Sequence, residues 1–174
     1  FVLGAANHVY LISVILNIAL ALAALYVFAR YVYDRFGDTN GSLASLMFAL
    51  TPPLWLWIAS GMETALVVLV TLLILVTVEQ IAVDHSRKLA MLNVLIVVVT
   101  MSRADGFIVA AIAIAYVLIR GRYKAALWAS ITLIGTIAVY SAWRLSYYGD
   151  LLPNTYYAKV SGPLTERIIY AIRQ

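Results

Sequence analysis

From Val9 to Ala29 the chain carries no ionised side chain, and the run stops at Arg30. A helix needs about 20 apolar residues to cross the hydrocarbon of a bilayer. Inside that hydrocarbon each backbone N–H and C=O must be paired within the chain, which a helix does by itself. Five further apolar runs follow, over 43–60, 65–83, 89–101, 107–119 and 125–143. The pattern predicts an all-α, polytopic transmembrane helix bundle of about six crossings, forming one transmembrane domain over 1–174. Composition agrees: 64% of residues are hydrophobic and 11% charged, where a soluble domain carries about 25% charged residues.

The breaks between runs have their own chemistry. Arg30-Tyr31-Val32-Tyr33-Asp34-Arg35 forms a basic and aromatic collar suited to a membrane interface, and 37–42 reads as a loop. Pro52-Pro53 removes two backbone donors and predicts a kink or break, with Trp55 and Trp57 just beyond it. Charged or polar breaks recur at Gly61-Met62-Glu63-Thr64, at 84–88, at Ser102-Arg103-Ala104-Asp105-Gly106 and at 120–124. After Pro163, Leu164, Ile168 and Ile172 repeat every four residues, which predicts the start of an amphipathic helix lying on or entering the membrane.

Charge sets the orientation. With 89–101 and 107–119 as two short crossings, Arg30, Arg35, Arg87, Lys88, Arg120, Arg122 and Lys124 fall on one side, against Arg103 alone in the two opposite inter-helix loops. The excess of Lys and Arg marks the cytoplasmic side. A single kinked crossing over 89–119 would put Arg120 to Lys124 outside, against that rule. The net charge of +4 is therefore membrane topology, not a nucleic-acid footprint. The absence of Cys excludes disulfides and thiolate metal sites.

Three polar breaks then share the extracytoplasmic face: the one at Glu63, the one at Arg103 to Asp105, and the stretch Arg144-Leu145-Ser146-Tyr147-Tyr148-Gly149-Asp150-Leu151-Leu152-Pro153-Asn154-Thr155-Tyr156-Tyr157-Ala158-Lys159. This last stretch, within a loop expected over 144–162, joins turn residues (Gly149-Asp150, Pro153-Asn154) to four tyrosines. Ionisable residues at membrane depth are costly and usually face a cavity or one another. An outer pocket is expected, with Glu63, Asp105 and Asp150 as acids and Arg103, Arg144 and Lys159 as cations. Tyr148 and Tyr157 offer ring faces for sugar or isoprenoid packing, and Asn154 offers a hydrogen bond.

Plainer readings stand beside these. Arg103 and Asp105 also suit a local pair holding a turn, and Glu63 suits the first turn of the next helix. The tyrosines also suit an interfacial belt, Glu79, Asp84, Arg87 and Lys88 a solvated collar, and His8 and Asn17 satisfied polar positions. No cluster of His, Asp or Glu has metal-site spacing on one helix, and there is no P-loop or G-x-S-x-G.

The series Ser60-Gly61-Met62-Glu63-Thr64-Ala65-Leu66, Ser102-Arg103-Ala104-Asp105-Gly106 and Tyr147 to Lys159 resembles the GT-C glycosyltransferases, above all the group of mycobacterial terminal arabinofuranosyltransferases. The Leu-Pro-Asn-Thr-x-Tyr-Ala-Lys string after Tyr-Gly-Asp is its most specific part, and the likeness extends over Val9 to Lys159. The resemblance implies a multi-pass enzyme of the bacterial cytoplasmic membrane. Such an enzyme transfers a sugar from a polyprenyl-phosphate donor to a glycan, lipid or protein acceptor outside the cytoplasm. It also admits a divalent metal. It places the catalytic base, an Asp, in a first extracytoplasmic loop upstream of this chain, so that Glu63, Asp105 and Asp150 would support it. Arg103, Arg144, Tyr148, Asn154, Tyr157 and Lys159 would bind the substrate. A transporter or lipid-handling protein using the same pocket without chemistry, or a structural subunit of an envelope complex, are the other classes; an inverted repeat would favour transport, and none is present.

Overall fold

A computed structural model of the chain describes residues 2–60, 62–81, 85–103 and 105–149. Among them are six α-helices and no strand: α1 (Val2–Ala49), α2 (Pro52–Ala59), α3 (Thr64–Gln80), α4 (His85–Ser102), α5 (Gly106–Ile119) and α6 (Tyr123–Tyr148). The all-α expectation is met. Two stretches, His8–Ala49 in α1 and all of α6, are long and apolar enough to cross a membrane, while α3 and α5 are apolar but shorter. The chain divides into two units, Phe1–Thr136 and Ile137–Gln174, and α6 begins in the first and ends in the second.

The loop expected over 37–42 shrinks to one non-helical residue. Gly37 has φ 76° and ψ 178°, a region essentially closed to residues with a Cβ. Helix resumes at once, and the second arm of α1 folds back along the first. Phe28 and Phe48 stack with centroids 4.7 Å apart, and the hydroxyls of Tyr33 and Ser42 lie 2.8 Å apart. The return path continues through α2, where the Tyr10 hydroxyl donates to the Ala59 carbonyl at 2.8 Å. Residues 10 and 59 therefore lie at one end of this hairpin and residues 33 and 42 at the other.

Pro52-Pro53 interrupts the return arm as the sequence requires. Thr51 takes the extended conformation imposed before proline (φ −68°, ψ 105°). The prolines deprive the carbonyls of Phe48 and Ala49 of their regular helical donors. The Thr51 N–H donates instead to the Phe48 carbonyl at 3.2 Å, and the Trp55 indole N–H donates to the Ala49 carbonyl at 2.6 Å. Trp55→Phe keeps the ring bulk and orphans that carbonyl. It is expected to cost about 0.5–1.5 kcal/mol, read as a lower unfolding temperature of the detergent-solubilised protein.

The interior mixes branched aliphatic side chains with alanines, and many large apolar side chains also face outward. Val70, Ile74 and Val78 of α3, Leu92, Leu95, Ile96 and Val99 of α4, and Ala110, Ala113 and Val117 of α5 form one buried cluster. Ala125, Ala126 and Ala129 of α6 join it. A smaller cluster joins Ala21, Leu54, Ile58 and Ala65. Facing outward are Ile12, Leu16 and Leu22 on α1, Ile108 and Ile112 on α5, and Leu127 and Ile131 on α6, each about half exposed or more. Water-soluble proteins rarely expose large apolar patches, and Ala125, Ala126 and Ala129 give α6 the small-residue contact that membrane helices also use. Hydroxyls turn back on their own helices, as where Thr71, Thr77, Ser102 and Thr136 donate to the carbonyl four residues earlier. Asn17 is buried and donates to the Ser13 carbonyl at 3.1 Å, as expected of a satisfied polar residue, while His8 is exposed.

One contact fixes the α4–α5 turn. Gly106 is buried where α5 starts against α4, and a Cβ there would fall 2.0 Å from the Val99 carbonyl oxygen. Only glycine lets the two helices approach so closely beneath the Arg103 turn.

Candidate functional site

The α2–α3 and α4–α5 turns, 40 positions apart in sequence, put their charged residues together. Glu63 occupies the residue before α3; its carbonyl accepts the Val67 N–H at 3.1 Å, but its carboxylate makes no capping hydrogen bond. That carboxylate faces Arg103, with Oε1 at 3.6 Å from Nη1. Arg103 Nε donates to Asp105 Oδ1 at 2.9 Å. The turn is held by its backbone as well, the N–H of Gly106 donating to the Arg103 carbonyl and that of Ile108 to the Asp105 carbonyl, both at 3.0 Å. The local-pair reading of Arg103 and Asp105 is thus correct but incomplete, because a second acid from another turn completes a triad.

All three side chains are partly open to solvent. The hydrogen bond from Arg103, with help from a backbone hydrogen bond, holds the Asp105 carboxyl below its ordinary range. The same hydrogen bond raises the already high value of Arg103. Asp105 therefore contributes stability above its unfolded value of about 3.9 and loses it as the pH falls through the lower folded value. Exposure keeps that contribution to about 0–1 kcal/mol. Two carboxylates around one guanidinium leave the triad formally negative, which suits sugar hydroxyls better than phosphate. Among the described residues no group of three or more His, Cys, Asp or Glu is placed to hold a metal ion. Glu63 and Asp105 both already face Arg103, so the described residues do not fit a divalent metal.

Arg144 and Tyr148 lie on helix, not in a loop: α6 continues to Tyr148, five residues past the expected end at Trp143. It closes where the Gly149 N–H donates to the Leu145 carbonyl at 3.1 Å, with Gly149 at φ 74°. The expected start of the loop at Arg144 is therefore corrected, and the turn expected at Gly149-Asp150 runs into residues outside those described. Tyr140, Arg144 and Tyr148 stack at four-residue spacing, with the guanidinium 5.9 Å and 5.5 Å from the two ring centroids. Trp143 and Tyr147 stack beside them at 5.9 Å. The buried Nε of Arg144 has no hydrogen-bond partner among the described residues. Asp150, Asn154, Tyr157 and Lys159 lie outside the described residues.

A second polar cluster escaped the sequence reading. Glu79 is no solvated collar residue: its side chain is only 19% exposed and pairs with Arg35 of α1, while the Tyr31 hydroxyl donates to its other oxygen at 3.1 Å. The Arg35 guanidinium also lies 5.5 Å from the Tyr31 ring centroid. The signal was available, since Glu79 is the single charged residue in the run from Ala65 to Val83. An isolated acid in such a run needs a partner.

Comparison with protein-family models, with curated proteins and with solved structures finds no match to this chain.

Proposed function

We propose that the chain forms the membrane-embedded body of a glycosyltransferase. It transfers a sugar from a polyprenyl-phosphate donor to a glycan, lipid or protein acceptor on the extracytoplasmic side of a bacterial cytoplasmic membrane. The observation that carries this reading is the meeting of Glu63 with Arg103 and Asp105, from two of the three sequence pieces on which the GT-C resemblance rests. In this reading the two arms of the α1–α2 hairpin and α3 to α6 make about six crossings. The short α3 and α5, of 17 and 14 residues, span about 25 and 21 Å at 1.5 Å per residue. Their outer turns then sit slightly below the bilayer surface, within reach of a lipid-linked sugar.

The chemistry sets the roles. The acceptor hydroxyl loses its proton to a carboxylate, its oxygen bonds to the anomeric carbon, and the sugar–phosphate bond breaks with its electron pair on the departing phosphate oxygen. Developing negative charge on that oxygen needs a fixed cation. Arg103 is committed to two acids, so the phosphate falls to Arg144 and Lys159, with Arg144 presented between two tyrosine rings. Glu63 and Asp105, positioned by Arg103, take the sugar hydroxyls, and Asp150 supports the base. Tyr148, Tyr157 and Asn154 line the sugar.

Membranes carrying the full-length protein, supplied with radiolabelled polyprenyl-phosphate sugars, are expected to transfer label to an acceptor. Lys159→Ala or Asp150→Asn should slow transfer at least about tenfold, roughly 1.4 kcal/mol of barrier. Unchanged turnover in both variants removes them from the site. Donor binding without transfer from any sugar points to lipid handling instead.

A further inference from the structure

At the end of the first unit opposite the triad, α1 and α3 enclose an open groove of about 670 Å³. Its lining carries two charged sets. In one, Glu79 of α3 holds Arg35 and Tyr31 of α1 in the closed set of contacts described above. In the other, Arg30 and Asp34 of α1 face each other at 3.9 Å, at the outer limit of an ion pair, with side chains 70% and 67% exposed. Tyr26, an exposed ring one helical turn before Arg30, lines the groove beside them. Arg30 is also the first charged residue after the apolar run from Val9. In a membrane-embedded helix that position lies at headgroup depth.

We propose that this groove binds the headgroup of a zwitterionic aminophospholipid. The lipid phosphate takes the place of Asp34 on Arg30, and the lipid ammonium takes the place of Arg30 on Asp34. The exchange leaves formal charge balanced, which an anionic lipid cannot do: its phosphate would occupy Arg30 and leave the Asp34 carboxylate facing added negative charge. The Tyr26 ring face offers the ammonium a further attraction. Arg35 does not substitute for Arg30, being engaged by Glu79. The inference requires that the helices be embedded in lipid and is independent of sugar transfer.

Native mass spectrometry of the detergent-solubilised full chain tests it, with palmitoyl-oleoyl phosphatidylethanolamine and phosphatidylglycerol added at equal concentration. Phosphatidylethanolamine adducts are expected to predominate by about two- to fivefold, the discrimination that one exposed ion pair supports. Asp34→Asn should abolish the preference while leaving phosphatidylglycerol adducts undiminished. Arg30→Gln should reduce adducts of both lipids. Equal binding of the two lipids by the unmodified chain, or an undiminished preference in Asp34→Asn, overturns the proposal.

Discussion

Gly106→Ala should lower the unfolding temperature of the solubilised protein by roughly 5 °C or more, taking about 2–4 °C per kcal/mol for a chain of this size. Helix propensity alone argues the other way, since alanine is favoured over glycine by about 1 kcal/mol in a helix interior. Packing decides the sign. The added methyl would sit 2.0 Å from the Val99 carbonyl oxygen and 2.7 Å from its carbon. These are backbone atoms and cannot rotate away, so the cost lies at or above the ~1–3 kcal/mol usual for overpacking. Gly135→Ala is the control, because a methyl there meets nothing within 4 Å and should leave stability unchanged or slightly raised. Equal stability of Gly106→Ala and the unmodified chain would mean that α4 and α5 do not meet as described.

Arg103→Ala should slow sugar transfer at least about tenfold while changing stability by only about 0–1 kcal/mol, as for an exposed ion pair. The separation of the two readouts matters more than either size. Arg103 touches Glu63 at 3.6 Å and Asp105 at 2.9 Å, and removing it leaves two carboxylates to repel each other at the mouth of the site. Arg103→Lys keeps the charge but not the planar fork that reaches two acids at once, so it should recover part of the rate. A purely structural turn would instead lose stability and rate together.

Much of this arrangement was legible in the sequence, and the misses share a physical cause. Apolar runs marked the helices, and the proline pair marked the break between α1 and α2, because proline lacks the N–H that a helix interior needs. The breaks at Glu63 and at Arg103 to Asp105 were expected to share a face, and the structure brings their side chains together. Polarity was the misleading signal. Residues 38–42 and 144–148 read as loops because they are polar, yet both are helical: Ser42 closes on Tyr33 across the hairpin, and Arg144 shelters between Tyr140 and Tyr148. Their four-residue spacing on α6 was visible and outweighed by the turn residues that follow. Glu79 was passed over for the opposite reason, its neighbours in the charged loop making an acid with two partners look solvated.

The proposed function needs the α2–α3 and α4–α5 turns to act as one site, and a double-mutant cycle in sugar transfer tests this most directly. Transfer from a radiolabelled polyprenyl-phosphate sugar is measured for the unmodified protein, Glu63→Gln, Arg103→Gln and the double variant. The account predicts that the double variant loses clearly less than the sum of the single losses, a coupling of about 0.5–3 kcal/mol as for residues in direct contact. Strictly additive losses, or rates indifferent to both substitutions, would contradict it.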